Sequence, residues 1–373
     1  MSKQTLFNLT LKTFLFLSPI FFFRDYSLSL ARGMFFILGT FVLFGISLSL
    51  EAKRKFSNVW VSLFLLLAFI RMFFDNNLGN PQQEWFNFWL SCSGFIYVFC
   101  GVLLFQIVYC YAEDIKQYFK PIVYICVLNL LLTSIQIFNY DFMWTNAPSL
   151  CGFMGISSQL GQYSAMSIPI LMFISPWLAI IPLCTLFMAK SVSSIVACAF
   201  GMAVFSVLRH VRKEIVIVTV AILAIWLAFN FGHVRAKFQC RPIMWQKTLK
   251  VTLQKPYLGW GYRTFQDRVV KTKAVGSIGG VEYSRAHNDY LHTAQELGFP
   301  IVIVIGGFFI GLIRKFKAKK NKDKLTYILG ASVLIALING CGQTLIRYAS
   351  IASTFIILLA FFTIKLEGEK NDN

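Results

Sequence analysis

The chain has 373 residues, of which 57% are hydrophobic and only 14% charged, and it carries a formal net charge of +19. A water-soluble domain of that length needs far more charged surface, so the composition excludes the soluble globular classes and points to a helical membrane protein. The 39 phenylalanines, some in runs such as Phe21-Phe22-Phe23, suit a surface that faces lipid.

Segments of about 17–25 apolar residues are long enough to cross a bilayer as helices. Hydropathy predicts such spans near 5–23, 34–50, 58–74, 86–110, 121–138, 162–174, 176–189, 191–208, 215–231, 299–313, 326–344 and 347–365. The first follows Lys3 and has no small-x-small cleavage site before Arg24, so it reads as a retained span and not as a signal peptide. The two segments flanking Ser175-Pro176 are short and also read as a broken hairpin. The expected fold is an all-α polytopic integral membrane protein of about 12 transmembrane helices. Its expected divisions are helices 1–9 over 1–231, a large outer loop over 232–298, and the last three helices with a tail over 299–373.

Sidedness follows from the short connections. Lys53-Arg54-Lys55, Lys116 with Lys120, Arg209 through Lys213, and Arg314 through Lys324 fall on one side of these spans, whereas 75–84 and 139–161 contain no Lys or Arg. The positive-inside bias then puts both termini in the cytoplasm. Nine cysteines are present. Most lie in or beside apolar runs, where Cys packs as a small hydrophobe. Cys151 and Cys240 are expected in exposed outer segments, and nothing in their spacing demands a pair.

The loop 232–298 is the exception to the charge pattern: it holds eleven Lys or Arg against four Asp or Glu, yet it lies on the outer side. Long loops are translocated whatever their charge, so this charge serves something other than topology. An anionic ligand in or on the outer leaflet is one reason, and general attraction to acidic headgroups is the other. A helix is predicted from Arg241, with Pro242 at its start, to about Lys255. After Pro256 comes the aromatic-flanked turn Gly259-Trp260-Gly261-Tyr262-Arg263. A second helix is predicted from Ser284 to Glu296, with Asn288, His292 and Glu296 on one face and Arg285 in reach of Asp289. His287 and His292 are five apart, a poor spacing for chelation from one helix, so no metal and no other cofactor is expected. His292 reads as a structural partner of Glu296. Arg71 and Arg347 lie near the outer ends of their spans and read as cations snorkelling to headgroups.

The string Arg285-Ala286-His287-Asn288-Asp289-Tyr290-Leu291, continuing to Glu296-Leu297-Gly298 ahead of a span, resembles the His-Asn signature of the O-antigen ligase and polymerase superfamily. The upstream string Arg241, Trp245, Pro256, Gly259-Trp260-Gly261 and Phe265 looks like that family's other loop motif, and Cys151-Gly152-Phe153 through Gly161 is similar to its glycine-led stretch. The resemblance covers roughly residues 150–310. It implies a fold like that of the multi-span C-type glycosyltransferases. It also implies transfer of a glycan from undecaprenyl pyrophosphate to an acceptor hydroxyl at the periplasmic face of the bacterial inner membrane. By the resemblance, Arg241 grips the pyrophosphate and His287 is the catalytic base. The family's Ser-Arg pair is replaced here by Lys190-Ser191-Val192-Ser193-Ser194, so Lys190 stands where the arginine would be.

That chemistry suits the residues. Arginine gives charge-assisted hydrogen bonds to the oxygens of a departing pyrophosphate, and without a metal such cations must hold the growing charge. A histidine among cations is held neutral and can accept a proton. Arg263, Arg285 and Lys190 are further phosphate contacts, Asn288 is a further substrate contact, and Trp245, Trp260, Tyr262 and Tyr290 either stack on sugar rings or form an interfacial aromatic belt. Direct attack would invert the anomeric carbon. A ligase is the leading expectation, with a polymerase of the same superfamily as the alternative. From a different class, a lipid-linked sugar flippase or exporter would need charges lining a path through several spans, and repeats between halves.

Overall fold

The computed structural model describes residues 1–20, 28–55, 58–73, 81–138, 150–209, 231–262, 264–265, 268–269 and 285–367. Among these residues the chain is helical, with no strand. In order it forms α1 (Lys3–Ile20), α2 (Leu28–Ser47), α3 (Val59–Phe73), α4 (Pro81–Tyr111), α5 (Phe119–Ile137), α6 (Ser157–Ile174), α7 (Ile180–Met188) and α8 (Val192–Arg209). Then come α9 (Phe231–Thr252), α10 (Asp289–Leu297), α11 (Phe299–Ala318), α12 (Lys324–Gly342) and α13 (Ala349–Glu367), with short 3-10 turns at Ile115–Tyr118, Gly152–Met154 and Pro176–Ala179. The expected span 215–231 lies, save its last residue, outside the described residues.

Among the described residues five stretches are long and apolar enough to cross a membrane: Gly94–Tyr111 of α4, Ile115–Ile137, and the whole of α11, α12 and α13. The chain is therefore a helical, multi-pass membrane protein. Helix α13 is the centre of the bundle, with 89% of its apolar window buried, against 22% for α11. The difference is in the side chains. In lipid no hydrophobic force drives helices together, so close approach depends on small residues and interhelical hydrogen bonds. Helix α13 offers Ala349, Ser350, Ala352 and Ser353, all buried, and Ser353 Oγ bonds Ser18 Oγ of α1 at 2.8 Å. Helix α11 instead exposes Ile303, Ile310 and Ile313.

The short pair around Ser175-Pro176 does form a hairpin. Ser175 is extended, a 3-10 turn follows, and α6 and α7 run antiparallel, joined by Ser164 Oγ and Thr185 Oγ1 at 2.8 Å.

The basic connections gather at one end of the bundle. Lys53 pairs with Glu113 at 3.4 Å, Arg54 donates to the Ala112 carbonyl at 2.9 Å, and Lys365 pairs with Asp323 at 3.1 Å. Gln4 reaches the Tyr111 carbonyl at 3.2 Å and Lys315 pairs with Glu367, so the N-terminal end of α1 and the C-terminal end of α13 also lie here.

The turn at Gly152 lies at the other end. Gln136 Oε1 accepts from the backbone of Cys151 at 3.0 Å and Gly152 at 2.9 Å, and buried Arg32 donates to the Met154 carbonyl at 2.7 Å. Cys151, expected in an exposed segment, is a fully buried thiol. The turn folds back onto α5, so a position that reads as loop in sequence is core in space.

Candidate functional site

The site is built around α10. Asn288 caps this helix, its side-chain oxygen accepting from Leu291 N at 3.0 Å, so the helix starts at Asp289 and not at Ser284. An Asn at an N-cap has an extended backbone and satisfies one orphan N–H, which ends helical geometry on its N-terminal side. Asn288 is thus not on the helical face of His292 and Glu296, and His287 lies just before the helix with φ of 48°.

At the other end Gly298 has φ of 87°, and a Cβ there would sit 2.1 Å from the Tyr257 carbonyl oxygen. Trp260 N donates to the Gln295 carbonyl at 2.8 Å and Gly261 N to that of Glu296 at 2.9 Å. The Gly259-Trp260-Gly261 turn therefore satisfies carbonyls that a helix C-terminus leaves open. Gly259, with φ of 66°, could not carry a side chain, since its Cβ would lie 2.4 Å from the Glu296 carbonyl oxygen.

The predicted first loop helix is longer than expected. It begins at Phe231, and Arg241-Pro242 lie inside it. Proline has a helical φ but removes one N–H and crowds the carbonyl four residues back, so α9 runs through Pro242 at a cost of about 3 kcal/mol.

Polar groups buried along α10 form one network. His292 Nε2 lies 3.2 Å from Glu296 Oε1, and Arg347 Nη1 donates to Glu296 Oε2 at 2.8 Å. Arg71, 1% exposed, donates from Nε to the Glu296 carbonyl at 3.4 Å. The pairing of His292 with Glu296 is present, but His292, which reads in sequence as a helix-surface histidine, is buried. The expectation that Arg71 and Arg347 snorkel is corrected. A helix C-terminus and a buried carboxylate give both cations partners inside the protein, so they need no headgroup water.

Burial opposes charge on Glu296, but Arg347 and His292 outweigh it and hold the carboxyl at about 2. Burial, reinforced by Arg347, keeps the His292 imidazole down at about 4, so it is the neutral partner of that pair. Asp289 Oδ2 accepts from Ile346 N at 3.0 Å and from Leu345 N, while its other oxygen is 4.0 Å from Arg347 Nε. Burial there prevails, and the carboxyl is raised to about 6.

The segment that receives Asp289 joins α12 to α13, and two expected catalytic residues meet it. His287 Nδ1 lies 3.3 Å from Gln343 Oε1. The point that a Cβ on Gly342 would occupy lies 3.0 Å from Ser193 Cβ and 3.3 Å from Arg241 Nη1. Arg241, Ser193 and His287 therefore converge on Gly342-Gln343. Ser193 Oγ is buried and has no hydrogen-bond partner in the protein. Lys190, exposed and with φ of 48°, sits three residues ahead of it, just before α8.

Arg285 does not pair with Asp289. With the helix starting only at Asp289 the two are not one turn apart, and the guanidinium lies on the Tyr348 ring at 4.1 Å. Its Nη1 is buried without a partner.

Two expected sugar-stacking residues have structural duties: Trp245 Nε1 donates to the Ala286 carbonyl at 3.0 Å and Tyr290 Oη to the Leu337 carbonyl at 2.9 Å. Trp260 Nε1 bonds the Val251 carbonyl at 2.8 Å, and Tyr262 Oη that of Ala68 at 3.0 Å. Arg263 lies outside the described residues. Gln343 was invisible as a site residue in sequence, because the contact that makes it one comes from His287, 56 residues away.

Below the network, a cavity of about 240 Å³ runs between α3, α4, α11, α12 and α13. Phe64, Phe105, Phe308 and Ile356 are among its apolar walls, and Asp289, Tyr290 and Thr293 stand at its α10 end. Among the described residues no group of three or more His, Cys, Asp or Glu gathers as a metal site. The arrangement offers a guanidinium, an imidazole and an orphaned hydroxyl near one backbone segment, beside an apolar cavity. It suits an amphiphile with an anionic head.

A family model described as O-antigen ligase matches residues 177–306. Lys190, Arg241 and His287 all fall inside the matched stretch. The match supports the O-antigen ligase and polymerase superfamily that the loop motifs resemble. No curated protein matches the chain.

Proposed function

We propose that the chain is a metal-independent, inverting glycosyltransferase of the O-antigen ligase type, moving a glycan from undecaprenyl pyrophosphate to an acceptor hydroxyl. The observation that carries this reading is the convergence of Arg241 and His287 on Gly342-Gln343, within the stretch that matches the family. In this reading the chain crosses the bacterial inner membrane about 12 times, with both termini and the basic turns cytoplasmic and the loop 232–298 periplasmic. The isoprenoid chain of the donor lies in the apolar cavity below α10, and its pyrophosphate lies at Arg241, with Lys190, Arg263 and Arg285 as further cations.

His287 accepts the proton of the acceptor hydroxyl as that oxygen attacks the anomeric carbon. The bond from that carbon to the phosphate oxygen breaks, and its electron pair leaves with the polyprenyl pyrophosphate. The proton on the imidazole then passes to water. Arginine-to-phosphate hydrogen bonds are worth roughly 1.5–3 kcal/mol each, and a placed general base about 10²–10⁴ in rate. Asn288, Trp245 and Tyr290 serve this site by holding the chain on either side of His287.

The test is transfer by the purified protein in bilayer discs, with carrier-linked glycan, a panel of lipid-core and glycan acceptors, and no divalent cation. Wild-type protein should form product with an inverted anomeric centre. Arg241→Ala should lose donor affinity, and His287→Ala should lose turnover with donor affinity kept. Transfer only when Mg²⁺ is added, or full turnover by His287→Ala, would refute the mechanism.

A further inference from the structure

We propose that Gln343 is the positioning residue for His287: its Oε1 accepts from Nδ1–H and makes Nε2 the nitrogen that carries the lone pair. The contact is the 3.3 Å approach of Nδ1 to Oε1. A neutral imidazole has one donor and one acceptor nitrogen, and the partner of one nitrogen decides which is which. The role of Nε2 as proton acceptor rests on the function proposed above, whereas the tautomer itself does not.

Both partners are held from several directions. Gln343 is 3% exposed and extended, with φ of −149°, where α12 ends. Behind it Gly342 is pressed against Ser193 and Arg241. Ahead of it Leu345 and Ile346 are tied to the Asp289 carboxylate, and Arg347 to Glu296. On the other side Trp245 fixes the Ala286 carbonyl and Asn288 caps α10, so His287 is kept at a positive φ that only an over-determined surrounding sustains.

An amide is also the fitting orienter. A carboxylate at that distance would favour the imidazolium, which cannot accept a proton. The nearby carboxylate, Asp289, has one oxygen committed to backbone amides and the other facing Arg347.

The chain has four histidines, so ¹⁵N-histidine spectra of the whole protein in bilayer discs can be assigned by loss of one set of signals in His287→Ala. In wild-type protein above the titration midpoint, Nδ1 of His287 should be the protonated nitrogen and Nε2 the bare one. In Gln343→Ala the preference should disappear and Nε2–H should predominate. Gln343→Glu should keep Nδ1–H and raise the midpoint by about one unit or more.

Undecaprenyl pyrophosphate binding should change less than about twofold in Gln343→Ala while kcat falls about 10–100-fold, the usual scale for an orienting partner. An Nε2–H tautomer in wild-type protein, or a Gln343→Ala spectrum identical to it, overturns the inference. If the tautomer is as stated but His287→Ala still turns over, the general-base reading fails and the positioning inference stands. If His287→Ala is dead while Gln343→Ala keeps spectrum and kcat, only the inference fails.

Discussion

His287 occupies a left-handed backbone position, φ 48°, that costs a β-carbon-bearing residue about 1–2 kcal/mol. His287→Gly should therefore be more stable than His287→Ala by about 1 kcal/mol, read from thermal unfolding in detergent, while both lose turnover to the same degree. Equal stabilities would mean that the backbone relaxes and the position is not strained. Two and five residues further on, Asp289 and His292 titrate in opposite senses. Asp289, raised to about 6, contributes stability that is present below its ordinary 3.8 and lost as pH rises through 6. His292, lowered to about 4, contributes stability that is present above 6.5 and lost as pH falls through 4. The two offset each other over the same window. Asp289→Asn keeps the side-chain oxygen that Leu345 N and Ile346 N bond, but removes the acid-side gain. Its unfolding temperature should therefore drop more steeply than that of the wild type between pH 6 and 4; parallel curves would mean that Asp289 titrates nearer its ordinary value. None of this was readable from spacing, because burial is the largest cause of both shifts.

Where the helices begin and end shows which signals a sequence carries. Five spans among the described residues were legible because apolar length and the scarcity of charge fix them, and the break at Ser175-Pro176 was legible because proline disfavours helix in the residue before it. The loop helices were misplaced at their starts. Pro242 reads as a first-turn residue, yet α9 runs through it, and Asn288 reads as a helix-face residue, yet it is the cap. Both errors have one source: Pro and Asn are tolerated at more than one position, and flanking contacts choose among them. The Gly259-Trp260-Gly261 turn was noticed as a motif, but its duty appears only in space, where it covers the C-terminus of α10. Gly259→Ala places a Cβ against the Glu296 carbonyl and adds a strained φ of 66°. It should lower stability by about 1–3 kcal/mol, and because it displaces α10, turnover should fall as well. Trp260→Phe should do neither to the same extent, since the backbone N–H that bonds Gln295 remains. A Gly259→Ala protein with wild-type unfolding temperature and activity would show that the turn does not hold the helix.

At the scale of the whole molecule the charge pattern and the packing agree. The described turns rich in Lys and Arg contact one another, the N-terminal end of α1 and the C-terminal end of α13, while Arg32, Arg71, Arg241, Arg285 and Arg347 belong to the opposite end. Those at the first end are largely solvated; those at the second are wholly or partly buried among carbonyls, carboxylates and rings. The sequence showed both groups but not the difference between them, because a cation's partner is brought from far along the chain: Glu296 for Arg71 and the Met154 carbonyl for Arg32. The same distance hid Gln343, which is 56 residues from His287. If the first end is cytoplasmic, a cysteine introduced at Lys190 should react with a membrane-impermeant maleimide in intact spheroplasts, and one at Lys319 only after permeabilisation. Replacing native Cys341, which is exposed near the second end, by Ser removes its signal from the comparison. Labelling of both sites in intact cells, or of Lys319→Cys alone, would invert the proposed orientation. It would leave the convergence of Arg241 and His287 intact but move it to a face where a periplasmic glycan transfer cannot occur.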